Sequence, residues 1–248
     1  MIVLLPPSET KRGGGDGPPL HLGALSFPAL EPLRKELVDE LVELAADRDA
    51  SRRALGLTPS QDAAIERNAR LRESPTLPAI GRYTGVLYEA LDFGSLRPGE
   101  AARADARLVI CSALFGLLRA ADPVPAYRLS ATSKLPEQPT LAARWRPVLA
   151  PLLDRLGSEE LVVDLRSGSY AALGRLPGAV SVDVRAEHPD GSRTVVSHFN
   201  KAHKGSLARV LAATRSEPGD AGAVARVARR AGMRVECHGR ALTVVVPA

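Results

Sequence analysis

Apolar residues fall into two patterns along this chain. In the first they run together, at residues 2–5 and 108–111 and, broken only by Asp164, at 161–165; residues 180–184 also read as a strand. Short β-branched runs bounded by polar residues or proline predict strands buried on both faces. In the second pattern apolar side chains recur every three or four positions. Residues 31–46 carry Leu33, Leu37, Val38, Leu41, Val42, Leu44 and Ala45 opposite a charged face, which predicts an amphipathic helix. Thr58-Pro59-Ser60 is a helix-start signal, and that helix is expected to run to about residue 72. Further helices are predicted over residues 80–91, 139–156 and 219–231 and, after the polar segment 200–206, through about residue 213, with Trp145 as a core anchor; residues 74–78 read as a loop. Asp190-Gly191 is the turn of a hairpin that residues 194–199 complete, and residues 233–237 and 241–246 predict a terminal hairpin.

Strands alternating with helices predict an α/β fold: a single domain over 1–248 with a mixed, mostly buried β-sheet flanked by helices. Composition agrees, at 45% hydrophobic and 25% charged residues. Lys and Arg number 33 against 28 Asp and Glu, a net charge of +5. That balance permits an anionic partner without requiring one. Aromatics make up only 4%, which argues against a broad base-stacking platform. The two cysteines, Cys111 and Cys237, sit far apart in apolar runs with no metal-ligand spacing, as expected of buried free thiols in a reducing compartment. The apolar run at the start is too short for a signal peptide. No run approaches ~18 apolar residues. A cytoplasmic protein with no membrane partner is expected.

Polar residues cluster at the ends of the predicted strands, where open α/β sheets bind ligands. Residues 108–129 read as a strand whose carboxyl end feeds a short helix or loop. Along it lie Ser112, the Phe115-Gly116 pair, Arg119, and Tyr127-Arg128. Three other segments have the same form: Ser8-Glu9 with Lys11; Asp164 with Ser167 and Tyr170; and His198 through Lys204. Side by side, these ends would form one basic, hydroxyl-rich cleft lined by Lys11, Tyr83, Arg119, Tyr127, Arg128, Tyr170, Lys201 and Lys204. Such a lining suits an anion. Tyr83 and Thr84 either face this cleft, with Gly85 allowing close approach, or Tyr83 packs and Thr84 caps. Lys201, Lys204 and Gly205 open a helix, whose amides also favour an anion. The Gly13–Gly17 run matches neither phosphate-loop pattern and reads as a flexible loop. His198 and His203 are five apart, so no metal site is expected, and no cofactor. Glu9 and Asp164 are the carboxylates best placed for acid–base chemistry, and Lys201 or Lys204 could act as a nucleophile.

Five stretches in order, LLPPSETK at the N-terminus, RYTGVLYEAL (82–91), CSALFGLLRAADPVPAYRL (111–129), VVDLRSGSYAAL (162–173) and VSHFNKAHKGSLARVL (196–211), resemble the YaaA family of peroxide stress response proteins. The resemblance implies one cytoplasmic α/β domain without a known cofactor. It also implies peroxide resistance through limiting free intracellular iron, and DNA binding through a positively charged cleft and a helix-hairpin-helix-like element. The matching positions are Tyr83, Thr84, Gly85, Gly116, Arg119, Asp122, Tyr127, Arg128, Ser167, Tyr170, Lys201 and Gly205. Two functions follow. In the first, Ser8, Lys11, Tyr83, Thr84, Gly85, Arg119, Tyr127, Arg128, Ser167, Lys201, Lys204 and Gly205 bind DNA largely through its phosphates. In the second, the same cleft is an enzyme's, acting on a nucleotide-like or other anionic small molecule with Glu9, Tyr170 and Lys201 as catalytic residues.

Overall fold

The computed structural model describes residues 1–196 and 200–248. In chain order the strands are β1 (Ile2–Leu5), β2 (Gly17–Pro19), β3 (Pro75–Pro78), β4 (Leu108–Ser112), β5 (Gly116–Arg119), β6 (Pro123–Val124), β7 (Val162–Asp164), β8 (Val180–Glu187), β9 (Arg193–Val195), β10 (Val235–His238) and β11 (Ala241–Pro247). The helices are α1 (Glu31–Leu44), α2 (Arg48–Leu55), α3 (Ala63–Ala69), α4 (Ala79–Arg82), α5 (Val86–Leu91), α6 (Pro98–Arg107), α7 (Leu141–Glu159), α8 (Gly168–Ala171), α9 (Asn200–Ala213) and α10 (Ala221–Arg230).

The main sheet runs β10-β11-β8-β7-β1-β4-β5, with β9 beside the far half of β8. Strand β1 lies in the middle, and all four of its residues are buried. It pairs in parallel with β4 on one side and β7 on the other. The parallel set continues through β8 to β11, so five carboxyl ends share one edge. Strands β5, β9 and β10 are antiparallel, which makes the sheet mixed as expected. The chain leaves β1 toward β4, then returns past β1 to place β7 and β8 on its other side. The gap between the ends of β1 and β7 is therefore a topological switch point.

Several local expectations are corrected. After β4 the chain turns straight back as β5 rather than entering a helix. Ser112 Oγ accepts the amides of Leu114 and Phe115 to shape that turn. Gly116 holds φ +67°, and a Cβ there would stand 2.7 Å from the Trp145 ring. Trp145, fully buried, donates to the Ala113 carbonyl at 2.8 Å. Strand β5 is an edge, and the buried Arg34 covers it by donating to the carbonyls of Phe115 and Leu117. Within the expected loop at 74–78, Pro75–Pro78 form β3 of a small β2-β3-β6 sheet, whose prolines suit short edge strands. Residues 80–91 break into α4 and α5 around Tyr83–Gly85, and residues 58–72 divide into a 3₁₀ turn and α3. The hairpin strand expected over 194–199 is seen as β9; residues 197–199 lie outside the described residues. Cys111 is buried as expected, whereas Cys237 is half-buried; both are free thiols.

The Gly116 turn ties the central sheet to α7, so it offers a test. Gly116→Ala adds strain at positive φ and a clash with an immobile ring, a loss of about 2–4 kcal/mol. Urea unfolding followed by the fluorescence of Trp145 is expected to show a lower midpoint with an unchanged slope.

Candidate ligand cleft at the switch point

The loops that follow β1 and β7 flank a cleft of about 890 Å³ at the switch point. Its third wall is the first turn of α9 and its fourth the start of α5. Pro6 and Pro7 end β1 and add an apolar lip. The Pro6 carbonyl is fixed by the Tyr88 hydroxyl at 2.8 Å. Ser8 and Thr10 hydroxyls meet at 3.0 Å, and Thr10 donates onward to the Thr84 carbonyl. Gly85, at φ +97°, lets α5 approach: a Cβ there would stand 3.1 Å from both hydroxyls.

After β7, Arg166 donates twice to Asp164, at 2.9 and 2.7 Å. A bidentate pair of this kind neutralises both partners. At the opposite lip Arg128 pairs with Glu9 at 3.1 Å. Two of the cleft's carboxylates are thus matched by arginines, and a third, Asp183, is largely exposed. The cations left over are on α9. Lys204 makes one long bond, 3.4 Å to the Leu165 carbonyl, and burial lowers its pKa. Lys201 is exposed at the mouth. Burial, with Glu9 adding to it, pushes the Tyr170 hydroxyl well up, so it stays a proton donor. Val86, Leu87, Tyr88, Leu165 and Val182 add apolar surface to the lining, and Ser167, Ser181 and Asn200 add further polar groups.

Of the residues singled out from the sequence, Ser8, Glu9, Thr84, Gly85, Ser167, Tyr170, Lys201 and Lys204 line this cleft. Arg128 reaches it through Glu9. Lys11, Tyr83 and Tyr127 gather behind the β1 loop instead. Because Ser112 Oγ takes two amides, its own proton goes to Tyr127 (2.7 Å), which donates to Tyr83 (2.8 Å). The Lys11 amine stands 4.2 Å from the centre of the Tyr127 ring. Arg119 is at the other end of the sheet. The return of β5 sets it level with Val109, and its guanidinium donates to the Ala106 carbonyl at 2.7 Å. Gly205 is a packing residue: a Cβ would collide with the Leu87 carbonyl where α9 crosses α5. His198 lies outside the described residues. Pattern reading passed over Thr10, which sits inside the N-terminal motif, and Val86, a large apolar residue left 45% exposed on the cleft wall.

Much of the arginine surplus is structural. Arg82 is buried and donates to the carbonyls of Gly14, Pro75 and Val124 at 2.9–3.0 Å. The glycine-rich loop therefore turns carbonyls inward to a guanidinium. Arg107 and Arg103 take carbonyls at the end of α9, and Arg209 takes those of Leu91 and Asp92 at the end of α5. These arginines satisfy helix carbonyls that have no partner within the helix. Among the described residues no group of three or more His, Cys, Asp or Glu stands ready to hold a metal ion. No helix among them is long and apolar enough to cross a membrane.

Comparison with known proteins agrees with the motif resemblance. Residues 1–229 match the family model described as peroxide stress protein YaaA. A UPF0246 protein of Corynebacterium efficiens is 49% identical over 99% of this chain and its own whole length. A UPF0246 protein of Streptomyces coelicolor is 41% identical over 96% of this chain and 93% of its own. A more distant relative, an uncharacterised protein of Campylobacter jejuni, is 27% identical over 86% of this chain and 85% of its own. With its switch-point sheet, its five ordered motifs and relatives matched from end to end, this chain belongs to the peroxide stress protein YaaA family.

Proposed function

We propose that the protein serves in peroxide stress by binding a compact, phosphate-bearing, nucleotide-like ligand in the switch-point cleft. One observation carries this reading. Glu9 and Asp164 are paired with arginines, Lys201 and Lys204 make no ion pair with a carboxylate among the described residues, and Val86, Leu87, Leu165 and Val182 give the lining an apolar part. A ligand with an anionic head and a flat apolar body matches that arrangement. The head falls to the lysines, whose ammonium groups give charge-assisted bonds. Tyr170 and Glu9 both line the cleft, so acid–base chemistry on the bound ligand would use them.

A second reading, DNA binding, has its own support outside the cleft. Arg12 and Arg67 are exposed, and Asn68 holds the backbone of Arg128 beside Arg67. A phosphate backbone could lie across this patch. In either reading, limitation of free iron is a downstream consequence of what the protein binds.

Isothermal titration separates the two. Nucleoside mono- and triphosphates are expected to bind. Lys201→Ala with Lys204→Ala is expected to weaken them by roughly 10–100-fold or more, the lower figures being the value of one charge-assisted hydrogen bond. Duplex binding predicts instead that Arg67→Ala weakens all sequences alike and flattens the log–log salt slope by about 0.9. Silence toward every nucleotide, with steeply salt-dependent duplex binding, would favour the second reading.

A further inference from the structure

Strand β8 outlasts its neighbour. Its pairing with β7 stops at Asp164 beside Ser181, and β9 joins the same side only from Val195 beside Arg185. The stretch between those pairings borders the cleft, where Ser181, Val182 and Asp183 line it. Side chains alternate along a strand, and here Val180, Val182 and Val184 are buried while Ser181 and Asp183 stand out. The Asp183 carboxylate is weakly matched. Its ion pair, with Arg185, is 4.0 Å long, against 2.7 Å for Arg166 and Asp164. A second acceptor on the lining also lacks a donor. The Asn200 side-chain oxygen is buried, with no hydrogen-bond partner among the described residues.

An ionised phosphate has no proton to offer either group, and the carboxylate repels it. A ligand held by its phosphate at the lysines must therefore bring donors of its own to the β8 side. In a nucleotide the donors nearest the phosphate are the sugar hydroxyls. The chain path suits this role. Strand β7, the loop 165–167, helix α8 and the parallel β8 form a strand–loop–helix–strand unit with an acidic residue on its second strand. Nucleotide-binding α/β sheets place the acceptor for a ribose hydroxyl in the same way. We infer that Asp183 is a specificity residue that accepts hydrogen bonds from the 2′- and 3′-hydroxyls of a ribose, so that the cleft selects ribonucleotides over deoxyribonucleotides. The inference rests on the nucleotide reading of the cleft. It sets the cleft against DNA, whose sugar lacks the 2′-hydroxyl, and leaves the patch at Arg12 and Arg67 unaffected.

Isothermal titration of the intact protein with adenosine 5′-monophosphate and its 2′-deoxy form tests it. The ribonucleotide is expected to bind about tenfold more tightly or better, the value of a hydrogen bond to a charged acceptor. Asp183→Ala is expected to bring the ribonucleotide down to the affinity of the deoxynucleotide. The deoxynucleotide itself is expected to bind the variant at least as well as before, which also shows that the variant is folded. Lys204→Ala is expected to weaken both forms by the same factor. Three results overturn the inference and leave the nucleotide reading standing: equal affinity of the two forms for the unaltered protein, a preference that survives Asp183→Ala, or a variant that weakens both forms alike. Binding of neither form by the unaltered protein overturns the nucleotide reading and this inference with it.

Discussion

The order of strands around β1 is the constraint on which the rest of the molecule depends. A parallel strand must be reached by a crossover, and a crossover covers one face of the sheet. Here the chain crosses to one side of β1, reverses, and builds the remaining parallel strands on the other. Helices cannot close over the point where the direction changes. The loops after β1 and β7 therefore part, and the cleft opens between their ends. Strand β1 can occupy this position because Ile2, Val3, Leu4 and Leu5 tolerate full burial on both faces. Truncating one of them to alanine would cost about 2–5 kcal/mol, and the cleft with it.

Charge in this protein divides between structure and site. Arginines hold carbonyls at an edge strand (Arg34), in the glycine loop (Arg82) and at helix ends (Arg103, Arg107 and Arg209). A guanidinium suits this role because it presents several donors in a fixed plane and keeps its charge. Lys201 and Lys204, by contrast, line the cleft without an ion-pair partner among the described residues. Net charge alone, at +5, does not distinguish these roles.

The fold was largely legible in the chain because its signals are local. Residues 2–5 and 108–111 read as buried strands from their composition, and each is one; residues 180–184 read as a strand and lie in β8, with Ser181 and Asp183 exposed. The terminal hairpin and the helices α1, α7, α9 and α10 were equally plain. The misreadings come from distant contacts. Nothing near Phe115-Gly116 announces an edge strand; Trp145 and Arg34, far along the chain in both directions, decide it. That reversal carried Arg119 away from the cleft, although its neighbours in the motif stayed close. Likewise Tyr83 and Tyr127 look like ligand groups in sequence, but Ser112 draws them into a buried chain of hydroxyls. The motif signalled that residues gather, while their side of the loop was set by packing.

The central claim is that a ligand seats between the ends of β1 and β7, against the first turn of α9. Amide chemical-shift mapping tests it most directly, using isotope-labelled protein titrated with a nucleoside monophosphate. The account predicts that the largest shifts fall on Ser8 to Thr10, on Arg166 to Gly168, and on Lys201 and Lys204. Shifts concentrated at β5 and Arg119, or along α7 on the far side of the sheet, would contradict it.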